Sequence, residues 1–408
     1  ATQNESRYPK YDLPDLDMQV LYDTSRCKTT ETTVYKTMNN QEFSFIFVGM
    51  SRIPSIFLES HNIKNPFSGF GQFNYHLIKG IYEAKISDLR CTLYAKNPTP
   101  LQEEFGNYFD YKKYYTLHRL APFRIRKKYD VWHSLNQNLK VEPHHDIPYI
   151  LTVHDVNFID EVSTDMHHES NQRFQAKLDR SHAITYISKY SQASTHKYFN
   201  VPNVPEYIIY NGNTLETITL PEDHISKIPI EGPFLFSIGE FSERKNFHSL
   251  VEMLALVPEY KLVLSGNSNT TYAKIALQEA IDKHQLQDRI IITGKISEFD
   301  KQYYLKHCTA FVFPSLREGF GIPPIEAMRF GKPVFISNNT SLPEVGGTHA
   351  FYWDHYDPEY MATVLKEGLA EYFKNENTLS KTYITHAQQF SWAKAAQQYI
   401  DVYRSLTS

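Results

Sequence analysis

Twice along the chain, short apolar runs alternate with helical stretches, and a polar segment separates the two series. The first series comprises residues 43–48, 89–94, 149–153, 183–187 and 207–210. The second comprises residues 234–238, 261–264, 290–293, 310–313 and 333–336. Such alternation predicts βαβ units and a mainly parallel sheet in each half. Leu250, Met253, Leu254 and Val257 recur at the helical period and should face a core. The expected class is α/β, with two Rossmann-like domains facing across a cleft and ligands at the carboxyl ends of strands. Residues 1–40 read as a polar N-terminal extension with one short strand near 18–22. Residues 41–212 form the first expected domain, 213–232 a linker and 233–388 the second domain. Residues 389–408 should form a final amphipathic helix.

With 408 residues, the chain exceeds one typical core. A net charge of −4 argues against a nucleic-acid binder, whose mark is a strongly basic face. The run Arg124-Ile125-Arg126-Lys127-Lys128 reads first as a solvated face, with anionic lipid as the alternative. Cys27, Cys91 and Cys308 give no disulfide framework and no metal-ligand spacing, so free thiols in a reducing cytoplasm are expected. No apolar run reaches the roughly 20 residues that span a bilayer. No charged-then-apolar leader pattern is seen at the N-terminus.

Chemistry concentrates in Arg317-Glu318-Gly319-Phe320-Gly321-Ile322-Pro323-Pro324-Ile325-Glu326. Glycines let backbone N–H groups approach a ligand. A helix starting near Pro324 would offer bare N–H groups and a positive dipole end to a phosphate. Glu318 and Glu326 on either side suit sugar hydroxyls, so the segment reads as a site for a nucleotide sugar. A glycine turn before a core helix, with two solvated glutamates, is the plainer alternative. The order of strand, glycine loop and helix favours the ligand site.

After residues 234–238 comes Gly239, then Arg244 and Lys245, placed at a strand end to neutralise a diphosphate. His154-Asp155 ends the strand at 149–153, where His154 would point into the cleft or Asp155 would simply shape the next turn. Ser68-Gly69-Phe70-Gly71 opens a helical run, so Gly69 and Gly71 are candidates for phosphate or acceptor contact, or for a plain turn. Ile296, after the Gly294 turn, is a candidate to frame a base through its backbone. Asn211-Gly212 reads as a hinge. The pairs His144-His145 and His167-His168 lack metal-site spacing, and no bound metal is expected.

Taken together these segments resemble the retaining glycosyltransferases of family 4, with the GT-B fold. The resemblance is carried by Gly239…Arg244-Lys245-Asn246, Leu264-Ser265-Gly266, Thr293-Gly294, Phe313-Pro314-Ser315, the run from Glu318 to Met328, Gly331-Lys332-Pro333-Val334 and Ser341-Leu342-Pro343-Glu344-Val345. It is dense over roughly 230–355 and loose in the first half. It implies that Arg244 and Lys245 hold the donor diphosphate and that Glu318 contacts donor-sugar hydroxyls. The N–H groups of Gly319, Phe320 and Gly321 would line the sugar and phosphate. Glu326 would bind the ribose, and His154 would meet the donor sugar from the opposite domain. The implied activity is a metal-independent, retaining transfer of a sugar from a nucleoside diphosphate to a glycan or lipid-linked acceptor. No cofactor is implied beyond the donor itself. GDP-mannose is favoured, with UDP-sugars open. The place implied is the cytoplasm, with peripheral membrane contact if the acceptor is lipid-linked. A nucleotide-sugar epimerase of the same fold and a catalytically idle binding protein are the rival readings.

Overall fold

The computed structural model describes residues 32–39, 42–49, 52–65, 68–215 and 217–408. Two compact units divide between Ile53 and Pro54. In the smaller one, β1 (Thr32–Asn39) and β2 (Glu42–Gly49) form an antiparallel hairpin. The run at 43–48 is therefore a strand, but it belongs to this hairpin and not to a parallel sheet. Its apolar pattern matches that of a buried strand, and nothing local reveals which partner it takes. The expected strand at 18–22, and Cys27, lie outside the described residues.

The larger unit holds two parallel sheets. The first has the order β5-β4-β3-β6-β7-β8-β9. Its strands are β3 (Ser55–Leu58), β4 (Arg90–Ala95), β5 (Asp110–Lys113), β6 (Val131–Ser134), β7 (Tyr149–Val153), β8 (Ala183–Tyr186) and β9 (Glu206–Ile208). The second has the order β12-β11-β10-β13-β14-β15. Its strands are β10 (Phe234–Ile238), β11 (Lys261–Ser265), β12 (Ile290–Gly294), β13 (Ala310–Phe313), β14 (Val334–Ser337) and β15 (Phe351–Trp353). Central strands such as β7 and β13 are buried along their whole length, as parallel strands covered on both faces must be.

The first residues of the segment 213–232 are tied to the body of the larger unit. Asn213 donates from its backbone N–H to Phe390 O at 2.9 Å and from its side chain to Ile325 O at 3.2 Å, and Leu215 joins the core. Gly212 lies so close to the backbone of Trp392 that a Cβ there would sit 2.2 Å from its nitrogen. The C-terminal helix Trp392–Thr407 packs along the helix Gly69–Glu83 of the first half. Tyr403 OH lies 2.9 Å from His133 Nδ1, and Arg404 holds Asp88 with two contacts of 2.7 and 3.1 Å. Cys91 and Cys308 are buried free thiols.

Candidate functional site

β10 and β13 are hydrogen-bonded neighbours, so the turns at their carboxyl ends meet. The first is the 3-10 turn Glu243–Lys245 and the second begins at Ser315. Leu316 N–H donates to Arg244 O at 2.8 Å, stitching the two turns together. Lys245 Nζ lies 2.5 Å from Glu318 Oε1 and 4.5 Å from the centre of the Phe313 ring. Arg244 Nη1 lies 3.2 Å from Glu318 Oε2 and donates to Arg317 O at 2.7 Å. Ser315 Oγ donates to Glu318 Oε1 at 2.5 Å. Burial raises the Glu318 carboxyl, but Lys245 and Arg244 outweigh it and hold the group below the usual carboxylate range. Burial also weakens the hold of Lys245 on its proton, and Glu318 opposes that. The result is two cations fixed in place by one carboxylate, with Arg244 about 29% exposed at the edge.

Beyond Glu318 the chain crosses to the other half. A Cβ on Gly319 would stand 2.4 Å from the carbonyl oxygen of His154, so only glycine passes there. Ser188 Oγ donates to Gly319 O at 2.8 Å, and Ser191 Oγ lies 2.5 Å from His154 O. Phe320 is buried, and its carbonyl accepts from Ser341 Oγ at 2.7 Å. Gly321 caps the helix Ile322–Arg329 with φ of 116°. The helix starts two residues before Pro324, so both prolines fall inside its first turn and remove two of the donors expected there. The N–H groups of Gly321 and Ile322 are the donors left at this helix start.

His154 follows directly on β7, and most of its ring is packed away from solvent. It is 5% exposed and packs edge-on against Phe70 and Phe73, with ring centres at 4.8 and 4.5 Å. Its Nε2 lies 2.9 Å from Leu135 O, a group that can only accept, so Nε2 carries the hydrogen and Nδ1 presents a lone pair. Burial pulls its pKa down to about 4, so the ring is neutral at physiological pH. Asp155 shapes the turn that follows, accepting from Asn157 N–H at 3.1 Å. Burial pushes its carboxyl up to about 6, although Arg244 pulls the other way. An anionic donor placed beside Arg244 favours the protonated form of Asp155. Donor affinity should therefore strengthen severalfold as pH falls from neutral through about 6. The Asp155→Asn chain should bind tightly with no such slope. Calorimetry with an intact nucleotide sugar, whose diphosphate diester does not titrate in this window, reads the difference; the same slope in both proteins would exclude Asp155 as its source.

Glu326 occupies the second turn of the helix Ile322–Arg329 and is 3% exposed. Lys301 Nζ sits 2.7 Å from its Oε1, and the Thr214 hydroxyl donates to the same oxygen. Lys301 also reaches Glu298 at 3.1 Å. Glu344 links the two halves: its carboxylate accepts from the N–H groups of Lys189 and Tyr190, at 2.8 and 3.2 Å, and from Tyr210 OH at 2.6 Å. Arg317 pairs with Asp160 at 3.0 Å, and Arg244 reaches Glu161 at 3.8 Å. Sequence reasoning missed Lys301, Thr214, Ser188, Ser191 and the role of Glu344, because each acts on a partner far along the chain. Glu344 alone had a signal, its place in the Ser341–Val345 motif.

The remaining candidates are dispersed around this centre. Gly239 N–H is spent on Ser265 O at 2.9 Å. Gly71 N–H is spent on the N-cap Ser68 Oγ at 3.1 Å, while Gly69 opens the same helix in an exposed position. Ile296 is half-buried against the core beside Gly294. Among the described residues, no three His, Cys, Asp or Glu side chains gather where they could share a cation.

Residues 221–405 match the family described as "Glycosyl transferases group 1". They form a group 1 glycosyltransferase domain. The chain is 24% identical over 388 residues to O-antigen chain mannosyltransferase B of Escherichia coli, covering 86% of this chain and 100% of that one. It is 29% identical over 243 residues to the serotype-specific mannosyltransferase WbdA of Escherichia coli, covering 57% of this chain and 30% of WbdA, so it spans under a third of that relative. With O-antigen chain mannosyltransferase RfbU of Salmonella typhimurium it shares 28% identity over 268 residues, 61% of this chain and 71% of that one. Among solved structures it resembles sucrose-phosphate synthase from Thermosynechococcus elongatus, with a TM-score of 0.68 and 19% identity, covering 86% of this chain and 99% of that one. Anabaena Alr3699/HepE in complex with UDP and glucose gives a TM-score of 0.65 and 17% identity, covering 87% and 100%. At these identities the structural likenesses speak to the fold, which is GT-B.

Proposed function

We propose that this glycosyltransferase moves mannose from GDP-mannose to a hydroxyl of a glycan or lipid-linked acceptor, with retention of anomeric configuration and without a metal. The observation that carries the proposal is the meeting of Arg244 and Lys245 on the Glu318 carboxylate at the ends of β10 and β13, directly before the glycine turn that opens the helix Ile322–Arg329. Both cations already hold an anion there, the Glu318 carboxylate. A diphosphate entering beside it would share the same fork and ammonium. Developing charge on the leaving nucleotide would be stabilised without moving either group. Glu318 positions the cations, and its remaining lone pair is left for a sugar hydroxyl. Neutral His154 offers Nδ1 as an acceptor to another hydroxyl. Glu326, in the second turn of the helix that follows the glycine loop and held there by Lys301, is the carboxylate we assign to the ribose hydroxyls.

In this reading the acceptor hydroxyl attacks the anomeric carbon on the face the phosphate leaves, and a phosphate oxygen takes its proton. The protein contributes positioning and fixed charge. The mannose preference rests on the O-antigen mannosyltransferases to which the chain is similar. A thermal-shift panel of GDP, UDP and ADP with their sugars tests the donor: GDP and GDP-mannose should give the largest shifts. A larger shift with a UDP-sugar would replace that donor. Because two cations sit where a metal would otherwise act, turnover should survive EDTA within about twofold. Loss on chelation, restored by added magnesium or manganese, would contradict this. Product released with no acceptor present would indicate the epimerase instead.

A further inference from the structure

The connection between β5 and β6 carries a surface that neither the fold nor the donor site requires. Tyr115, Leu117, Leu120 and Phe123 are each more than half exposed, at 53, 56, 53 and 53%. Leu117 and Phe123 belong to two short 3-10 turns, Thr116–Arg119 and Ala121–Phe123, that bury no residue of their own, and Tyr115 and Leu120 flank them. The same stretch carries Lys112, Lys113, Arg119, Arg124, Arg126, Lys127 and Lys128, and no acidic residue occurs between Asp110 and Asp130. In a chain of net charge −4 this is a strong local excess of positive charge. Among the described residues these seven side chains are not paired with carboxylates. The segment is nevertheless anchored: Ile125 and Tyr129 are buried, and Tyr94 OH lies 2.6 Å from His118 Nδ1. The apolar side chains are therefore held outward by a fixed scaffold.

We propose that this segment is a docking surface for an anionic phospholipid bilayer. A nucleic acid or an acidic protein would match the charge, but neither accounts for four large apolar groups raised beside it. Apolar tips that enter the headgroup boundary, ringed by Lys and Arg that meet lipid phosphates, are what an interfacial segment needs. Lys and Arg stems can lie along the apolar surface while their charges stay at the phosphates. The place in the fold is consistent. β5 is the edge strand of its sheet, and the segment leaves from its carboxyl end. That rim also carries His154, four strand spacings away, or about 19 Å. A membrane-held acceptor would thus reach the donor side without leaving the bilayer. The docking inference itself does not depend on which donor is used.

The test is vesicle co-sedimentation of the full chain without substrate. Vesicles of phosphatidylcholine alone are compared with vesicles containing two parts phosphatidylcholine to one part phosphatidylglycerol. The chain should sediment with the anionic vesicles and stay in solution with the neutral ones. Added salt should release it as the charges are screened. Leu117→Ser with Leu120→Ser and Phe123→Ser should lower the partition coefficient by on the order of a hundredfold. Lys127→Gln with Lys128→Gln should lower it by roughly tenfold to thirtyfold. All five positions are exposed, so melting temperatures should match the parent. Equal sedimentation with both vesicle types, unchanged partition of both variants, or retention on heparin with no vesicle binding would each overturn the proposal. The salt titration of the parent chain decides the charge component even if a variant folds poorly.

Discussion

Replacing Arg244 and Lys245 together with Ala should lower turnover by on the order of a thousandfold or more. The two side chains hold opposite oxygens of Glu318, at 3.2 and 2.5 Å, at the ends of adjacent strands. Deleting them removes the fixed charge proposed for the leaving diphosphate. It also leaves a largely buried carboxylate without its partners, which costs about 3–5 kcal/mol in comparable sites. Lost folding would then mimic lost catalysis. The charge-balanced pair Lys245→Met with Glu318→Gln separates the two effects, since replacing a buried pair by neutral groups of similar size is often nearly neutral for stability. That chain should melt close to the parent and still turn over at least a hundredfold more slowly. Near-parental turnover in it would remove Lys245 and Glu318 from the catalytic account.

The second large effect falls on Glu326. Its side chain is 3% exposed and is held by Lys301 and Thr214, so its carboxylate is oriented before any ligand arrives. A carboxylate so placed could accept from both ribose hydroxyls. Each hydrogen bond to a charged group contributes about 1.5–3 kcal/mol, so Glu326→Ala should weaken nucleoside diphosphate binding by roughly a hundredfold. The sharper readout is discrimination. The parent should prefer the ribonucleotide over its 2′-deoxy analogue, and Glu326→Ala should bind the two alike. Preserved discrimination in calorimetry would assign Glu326 a purely structural role beside Lys301.

What the sequence disclosed follows the range of the forces involved. β7, β10 and β13 were legible to the residue, because strands buried on both faces are apolar along most of their length. β6 was not legible. It reads Val-Trp-His-Ser, and its buried His133 is satisfied by Thr152 at 2.7 Å and by Tyr403 from the far end of the chain. β3 is four residues long behind a proline, too short to show a period. The hairpin strand β2 was legible as a strand and illegible as to its partner. The site divides in the same way. Arg244-Lys245 and the glycine loop are contiguous motifs, so they stand out. Lys301 and Thr214 serve Glu326 from 25 and 112 positions away, and no local pattern marks them. His154 was found by position, but its burial behind Phe70 and Phe73 depends on how the first helix packs.

A crystal structure of the chain with bound GDP tests the reading most directly. Phosphate oxygens should lie about 3 Å from the Arg244 guanidinium and the Lys245 ammonium, with ribose hydroxyls on the Glu326 carboxylate. A nucleotide bound with its phosphates turned away from both cations, or its ribose remote from Glu326, would contradict it.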